Sequence, residues 1–136
     1  MLVSHYDYEE AESLLGNLDS HSFPIELIEF ETDDLWLRDT GPTFVTNNRG
    51  DKIAIDFNFI RDTKVAKFIA NLSSAILEET DLVLEGGCFD VDGHGTAILT
   101  KSCVLNNNRN PHLSRIEVEQ ELMALLGLRK LYGLKG

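Results

Sequence analysis

The sequence has few cysteines and no long apolar run. Cys88 and Cys103 are the two cysteines among 136 residues, and they form neither a CxxC pair nor a zinc pattern with a histidine. No apolar stretch approaches the roughly 20 residues that cross a bilayer. The first ten residues, MLVSHYDYEE, lack the basic lead and the apolar run of a signal peptide. We therefore expect reduced cysteines, no metal site and a cytoplasmic location.

Basic residues are also scarce. Twelve Lys and Arg stand against 23 Asp and Glu, which gives a formal net charge of −11. Such a balance repels phosphate backbones and anionic membrane surfaces, and it would suit a cationic ligand. Hydrophobic residues make up 43% and charged residues 26%, as in a globular protein, so we expect one folded domain.

The spacing of the hydrophobic residues, together with capping and turn residues, predicts an α/β chain. The helices are expected at residues 7–17, with Asp7 as N-cap, at 62–79, and at 114–127 with a capping box from Ser114 to Glu117. Strands are expected at residues 25–30, 43–47, 52–59, 81–87, 96–100, 102–106 and 129–134. Residues 47–50 (NNRG) are typical of a hairpin turn between two strands.

The predicted elements repeat. A short β-α lead (residues 1–24) precedes two similar modules (25–80 and 81–136), each with several strands and one helix. Internal repetition of this kind predicts a modular α/β fold in which each unit buries its apolar face against a neighbour. Each module carries an acid-rich loop with glycine, DDLWLRDTGP in the first and EGGCFDVDGHG in the second.

Two kinds of site can be tested against these loops. A calcium loop counted from Cys88 lacks an Asp at position one and has Leu99 in place of Glu at position twelve, so its two strongest ligands are missing. A thiol nucleophile could be Cys88, with the chain's histidines as candidate bases: His5, His21, His94 and His112. The alternative is that Cys88 is an incidental small residue and Cys103 a core thiol.

The carboxylates admit two interpretations each. Glu85 precedes two glycines, so it could stand in a cleft where a ligand approaches the backbone, or it could be a solvated residue of a turn. Asp39 lies beside Trp36, whose flat face could stack on a delocalised cation or simply fill the core. The segment NNNRNP (residues 106–111) is rich in side chains that bond to backbone and is predicted to clip a loop.

Three segments together resemble one family. DDLWLRDTGPTFV, LEGGCFDVDGHGTAILT and CVLNNNRNPHLSRIEVEQEL are similar, in order and spacing, to the agmatine deiminases and bacterial-type peptidyl-arginine deiminases. The resemblance implies part of a five-bladed pentein, an α/β propeller of ββαβ modules. It also implies a hydrolase that removes ammonia from a guanidinium group through a cysteine thiolate and a histidine, as in putrescine biosynthesis.

The resemblance assigns roles to residues of both loops. Asp39 is implied to bind the guanidinium, and Glu85 is implied to be the catalytic carboxylate that grips it. Trp36 and Asp34 are implied to contribute to the substrate pocket, and Arg38 to position it. The supporting residues are Gly86, Gly87 and Asp92. No cofactor is implied.

The resemblance also has departures. The family's nucleophilic Cys and catalytic His fall beyond the matched segments, and neither Cys88 nor Cys103 stands at the nucleophile's position. We therefore expect a truncated product, a split gene or a fragment that is inactive alone. Its partners would be a small guanidinium compound or peptidyl-arginine, together with a second copy or a complementing C-terminal half. The alternative is a non-catalytic module that binds a cationic ligand or a protein.

Overall fold

The structure is a computed structural model that describes residues 1–16, 24–59 and 62–134. It divides the chain into two compact units, Met1–Leu35 and Trp36–Gly136. Within the described ranges, none of the helices has the length and apolarity needed to cross a membrane.

The first unit is a small β-α-β arrangement. Strand β1 (Leu2–Val3) pairs in parallel with β2 (Ile28–Glu29), and helix α1 (Tyr8–Gly16) follows a 3-10 turn. Ser4, not Asp7, caps the start of this helical segment, because the Ser4 Oγ accepts the Asp7 N–H at 3.2 Å. The predicted strand over residues 25–30 is reduced to two residues, and residue 17 of the predicted helical segment lies outside the described residues.

The second unit contains two three-stranded sheets with the same topology. In the first sheet, β3 (Thr43–Thr46) and β4 (Lys52–Phe57) are antiparallel, and helix α3 (Val65–Leu72) leads to β5 (Ile76–Thr80), parallel to β4. The second sheet has antiparallel β6 (Phe89–Val91) and β7 (Thr96–Thr100), followed by β8 (Lys130–Leu134), parallel to β7. In each sheet an antiparallel strand pair is followed by helical structure and then by a strand parallel to the second of the pair, which is a ββαβ order.

Local signals placed several elements correctly. Residues 47–50 form the predicted hairpin turn, where Gly50 has φ +84° and the Asn47 Oδ1 accepts N–H groups from Arg49 and Asp51. Helix α5 (Arg115–Leu125) has the predicted capping box of Ser114 and Glu117. Gly127, with φ +63°, lies just past its end.

The predicted helix over residues 62–79 is wrong beyond Leu72. The chain reverses at Ser74, whose φ is +53°, and then enters β5. There Ile76 pairs with Ile53 and Leu77 with Ala54 of β4. An apolar run such as ANLSSAIL is compatible with either structure, and pairing with β4 outweighed the helical spacing.

Two predicted strands are also wrong. Residues 81–87 form no strand, although Leu82 and Leu84 are fully buried, because the Asn110 side chain rather than a neighbouring strand bonds both the N–H and the carbonyl of Val83. Residues 102–106 fall largely in helix α4 (Lys101–Val104). Sequence analysis also missed strand β6 and the short helix α2 (Leu37–Thr40), whereas β1 is the strand expected at the start of the β-α lead.

The core joins both sheets of the second unit. It contains apolar side chains from β4, β6 and β7, from helices α4 and α5, and from the segment between β5 and β6. Its buried members are Ile55, Phe57, Leu82, Leu84, Cys88, Phe89, Leu99, Val104, Val118 and Leu122. Because Leu82, Leu84 and Cys88 are anchored in this core, the intervening Glu85 and the two glycines after it are held at the core's edge.

Candidate functional site

Helix α2 and the 3-10 turn Gly86–Cys88 lie against each other. The turn's Gly87 N–H donates to the Asp39 Oδ1 at 2.9 Å, which joins the two acid-rich loops. Helix α2 is held by N–H groups of Asp39 and Thr40, which both donate to the Trp36 carbonyl. It ends at Gly41-Pro42, where a Cβ on Gly41 would come within 2.5 Å of the Leu37 carbonyl oxygen.

The two glycines of EGG permit this close approach. A Cβ on Gly86 would overlap the backbone carbonyl oxygen of Arg38. A Cβ on Gly87 would lie 2.6 Å from the Asp39 Oδ1 and 3.9 Å from the Glu85 Cγ. Gly87 therefore lies beside the Asp39 carboxylate, and the absence of side chains at Gly86 and Gly87 lets helix α2 approach the turn that follows Glu85.

Glu85 does not stand in solvent but forms a bidentate ion pair with Arg109. The Arg109 Nη1 donates to Glu85 Oε2, and the Nη2 donates to Oε1 at 3.0 Å. The side chains are 17% exposed for Glu85 and 23% for Arg109. The Arg109 guanidinium carbon also lies 5.8 Å from the centroid of the Phe59 ring. Glu85 thus binds a guanidinium, but one that belongs to its own chain.

Sequence analysis missed Arg109, and its neighbour explains why it is there. Asn110 is 3% exposed, and its side chain donates to the carbonyls of Val83 and Val104 and accepts the Val83 N–H. The predicted role of NNNRNP as a clip is confirmed by these bonds. They fix the loop beside Glu85, and no local feature of the sequence shows that Arg109 would be brought to Glu85.

Arg38 and Trp36 frame Asp39 on α2. Arg38 forms an ion pair with Asp90 at 2.7 Å and donates to the Phe89 carbonyl at 3.4 Å, so it ties α2 to the start of β6. Trp36 is 66% exposed, so it is not a core tryptophan. Asp34 belongs to the first unit, where its Oδ1 accepts the Leu35 N–H at 2.7 Å.

Asp92 lies in the turn between β6 and β7. Its Oδ1 accepts the N–H groups of His94 and Thr96 at 2.7 and 2.9 Å. These two backbone bonds, that from Thr96 first, lower the pKa of Asp92 below its ordinary value. Among the described residues, no group of three or more His, Cys, Asp and Glu side chains is arranged to hold a metal ion.

Cys88 is buried in the core rather than presented to a cleft. Its side chain is 3% exposed, and burial, with a smaller contribution from the Glu85 carboxylate, raises the pKa of its thiol to about 12. A nucleophilic cysteine needs the opposite, a lowered pKa and access to substrate. Cys103 lies half-buried in α4 and packs against the same core.

Comparison with known proteins gives one consistent result. The profile of the Porphyromonas-type peptidyl-arginine deiminase family matches residues 1–136. The agmatine deiminase of Ectopseudomonas mendocina is 43% identical over 141 residues, which cover 93% of this chain and 37% of that protein.

Solved structures show the same relationship. The agmatine deiminase of Enterococcus faecalis, described as catalysing its reaction, superposes with a TM-score of 0.86 at 32% identity, over 98% of this chain and 39% of that one. The C. jejuni agmatine deiminase with substrate bound gives a TM-score of 0.80 at 27% identity, over 97% of this chain and 40% of that one. The chain thus spans about two fifths of the length of the relatives it matches, and the expected fold, part of a pentein, is confirmed.

Proposed function

Because the chain belongs to the Porphyromonas-type peptidyl-arginine deiminase family, we propose that it forms the guanidinium-binding part of a deiminase site. Asp39 and Glu85 are the proposed gripping carboxylates. The observation that carries this proposal is the hydrogen bond from the Gly87 N–H to the Asp39 Oδ1, because it brings Asp39 to the turn that follows Glu85, across 48 residues of sequence. Two carboxylates near one exposed stretch of backbone can hold a planar guanidinium by its fixed N–H donors.

The proposed chemistry is that of a cysteine deiminase. A thiolate attacks the central guanidinium carbon, a C–N bond breaks, and the nitrogen leaves as ammonia after a histidine delivers a proton. Water then cleaves the thioether-like intermediate, so that a ureido product forms and the thiol is restored. Because Cys88 is buried with a raised pKa, we propose that this thiolate is neither Cys88 nor Cys103. A further segment or a second chain would supply it.

The proposed ligand is agmatine. Its guanidinium matches the carboxylates, and the relatives from Ectopseudomonas mendocina and Enterococcus faecalis are named agmatine deiminases. Peptidyl-arginine carries the same head group and is the second choice, in keeping with the name of the family. With agmatine, the reaction would contribute to putrescine formation in the cytoplasm. The net charge of −11 favours either cation.

A non-catalytic cation-binding module is the second candidate function. The burial of Cys88 favours it, because a chain without an available thiolate can bind a guanidinium and leave it intact. The two candidates predict the same ligand and the same Asp39 dependence. They differ in whether ammonia is released when the missing thiolate is provided.

Self-association is a related proposal. Ile98 and Tyr132 face each other in register on β7 and β8 and are 44% and 53% exposed, and Leu134 is 53% exposed. We propose that a second copy or a complementing segment covers this apolar face. A sedimentation profile that stays monomeric at high protein concentration would contradict pairing of copies.

Calorimetry and an ammonia assay on the 136-residue chain test the proposed function. Agmatine should bind the wild type, the Asp39→Asn variant should bind it at least tenfold more weakly, and neither should release ammonia. Glu78→Gln, which removes an exposed acid from β5, is the matched control for loss of charge and should bind like the wild type. Binding that is indifferent to Asp39 would refute the site, and steady ammonia release would refute the assignment of the thiolate elsewhere.

A further inference from the structure

The internal guanidinium on Glu85 has consequences for any external one. Arg109 uses both Nη atoms against the two carboxylate oxygens of Glu85, in the fork-to-fork arrangement that a guanidinium ligand would also adopt. The carboxylate edge that accepts two hydrogen bonds from one guanidinium cannot accept a second guanidinium in the same bidentate way. A ligand that grips Glu85 in the proposed way must therefore displace the Arg109 side chain.

The charges around Gly87 lead to the same conclusion. Arg38 is paired with Asp90, and Arg109 with Glu85. Asp90 and Glu85 are thus each paired with an arginine. Asp39, by contrast, forms no ion pair with any described residue. A cationic ligand thus meets one unpaired carboxylate, beside a guanidinium of its own sign. Removal of the Arg109 charge would leave two carboxylates for the ligand.

The backbone of the loop that carries Arg109 is fixed, so the Arg109 side chain is the part that can move away from Glu85. Asn110 holds the loop backbone by three buried or part-buried hydrogen bonds, and the Arg109 N–H donates to the Asn106 carbonyl at 2.9 Å. The guanidinium itself is held by Glu85 and lies near the face of Phe59. Rotation of this long side chain would clear Glu85 without disturbing the bonds of Asn110.

From these contacts we infer that Arg109 competes with guanidinium ligands for Glu85 and sets the affinity of the site. The inference rests on the proposed function, because it concerns the same two carboxylates. It adds Arg109, to which no sequence pattern gave a role at the site. It also gives the site a built-in selectivity, since a ligand must bind Glu85 and Asp39 together to offset the loss of the internal ion pair.

Agmatine titration of three variants of the 136-residue chain tests the inference. Arg109→Gln removes both the charge and the fork and should bind agmatine about tenfold more tightly than the wild type. Arg109→Lys keeps the charge and should fall between them. Arg49→Gln removes an exposed arginine on the β3–β4 turn and should leave the affinity unchanged. The double variant Glu85→Gln with Arg109→Gln should lose the gain.

A spectroscopic measurement on the wild type does not depend on how the variants fold. The side-chain ¹H–¹⁵N signals of Arg109, assigned by comparison with Arg109→Lys, should move as agmatine saturates the chain, because Glu85 is withdrawn from them. If Asp39-dependent binding occurs but Arg109→Gln binds agmatine equally or more weakly, or if the Arg109 signals stay fixed, the inference is overturned and the proposed function stands. If neither the wild type nor Arg109→Gln shows Asp39-dependent binding, the proposed function fails and the inference falls with it.

Discussion

The Asp39 carboxylate and the Gly87 N–H are joined by a 2.9 Å hydrogen bond across 48 residues of sequence. This bond connects helix α2 to the turn that follows Glu85, and Gly87 itself is exposed. The order of the two ββαβ units along the chain does not by itself place these residues together. Their meeting depends on the absence of a Cβ at two successive positions.

A methyl group at Gly87 should disrupt this contact. In Gly87→Ala the new Cβ would lie 2.6 Å from the Asp39 Oδ1, so the Asp39 side chain must shift and its hydrogen bond to the Gly87 N–H must lengthen or break. We expect a loss of about 0.5–1.5 kcal/mol in the free energy of unfolding, measured by urea denaturation, because one hydrogen bond is weakened. Gly16→Ala is the control, since a Cβ there meets nothing within 4 Å in helix α1, and it should be neutral or stabilising. Equal stability of Gly87→Ala and wild type would argue against the close approach.

Asn110 should be the most sensitive position of the NNNRNP loop. Asn110→Ala leaves the part-buried N–H and carbonyl of Val83 and the buried carbonyl of Val104 without their side-chain partner. We expect a loss of about 2–4 kcal/mol in the free energy of unfolding. Asn107→Ala, an exposed position in the same loop, should change it by less than about 0.5 kcal/mol. Similar effects at both positions would show that Asn110 does not anchor the loop.

The two cysteines should differ in reactivity toward iodoacetamide. With a thiol pKa of about 12 and 3% exposure, Cys88 should be alkylated far more slowly at pH 8 than the half-buried Cys103. At pH 8 a thiol with that pKa is ionised in roughly one molecule in ten thousand. Peptide mass spectrometry gives the order of modification, and the two sites should react alike in denaturant. Rapid native alkylation of Cys88 would reopen its role as a nucleophile.

Asp56 should destabilise the fold at neutral pH. It is paired in register with Glu79 on β5, and burial first, then the Glu79 charge, raises its pKa above the ordinary 3.8. A raised carboxyl pKa favours the protonated form in the folded state, so the penalty is absent below pH 3.8 and complete above the folded pKa.

Asp56→Asn should therefore raise the thermal midpoint at pH 7. The gain should shrink as the pH falls through the folded pKa of Asp56 and disappear below 3.8. Glu78→Gln, an exposed acid of the same strand pair, is the control and should show a smaller change. A lower midpoint for Asp56→Asn at pH 7 would mean that Asp56 makes a stabilising interaction that outweighs its repulsion from Glu79.

The elements that were predicted correctly from the sequence are those that nearby residues determine. Alternating apolar and polar residues identified β4, and the Ser114–Glu117 capping box identified the start of α5. The Asn and Gly residues of the NNRG turn identified the hairpin. The segment over residues 81–87 was mistaken for a strand because its backbone partner is an amide side chain 27 residues away. Nothing in the local sequence pattern distinguishes that arrangement from pairing with a neighbouring β-strand.

The candidate site likewise has a part that the local sequence indicates and a part that only the fold brings into place. The acids and glycines of RDTGP and EGG can be singled out by their types, and the structure joins Asp39 to Gly87, two residues after Glu85. Arg109 could not be found in this way, since an arginine in a polar loop is normally solvated. Its position depends on Asn110, whose buried side chain turns a surface loop inward.

The Gly87 amide offers the most direct test of the central claim, that Asp39 and Glu85 form a guanidinium site. In a ¹H–¹⁵N titration of the 136-residue chain with agmatine, the Gly87 N–H signal should move saturably, because its acceptor is the Asp39 carboxylate that we propose binds the ligand. Asp39→Asn should abolish the shift, and putrescine, an amine without the guanidinium, should produce a much smaller one. A Gly87 signal that does not respond to agmatine, or that responds equally to putrescine, would contradict the account.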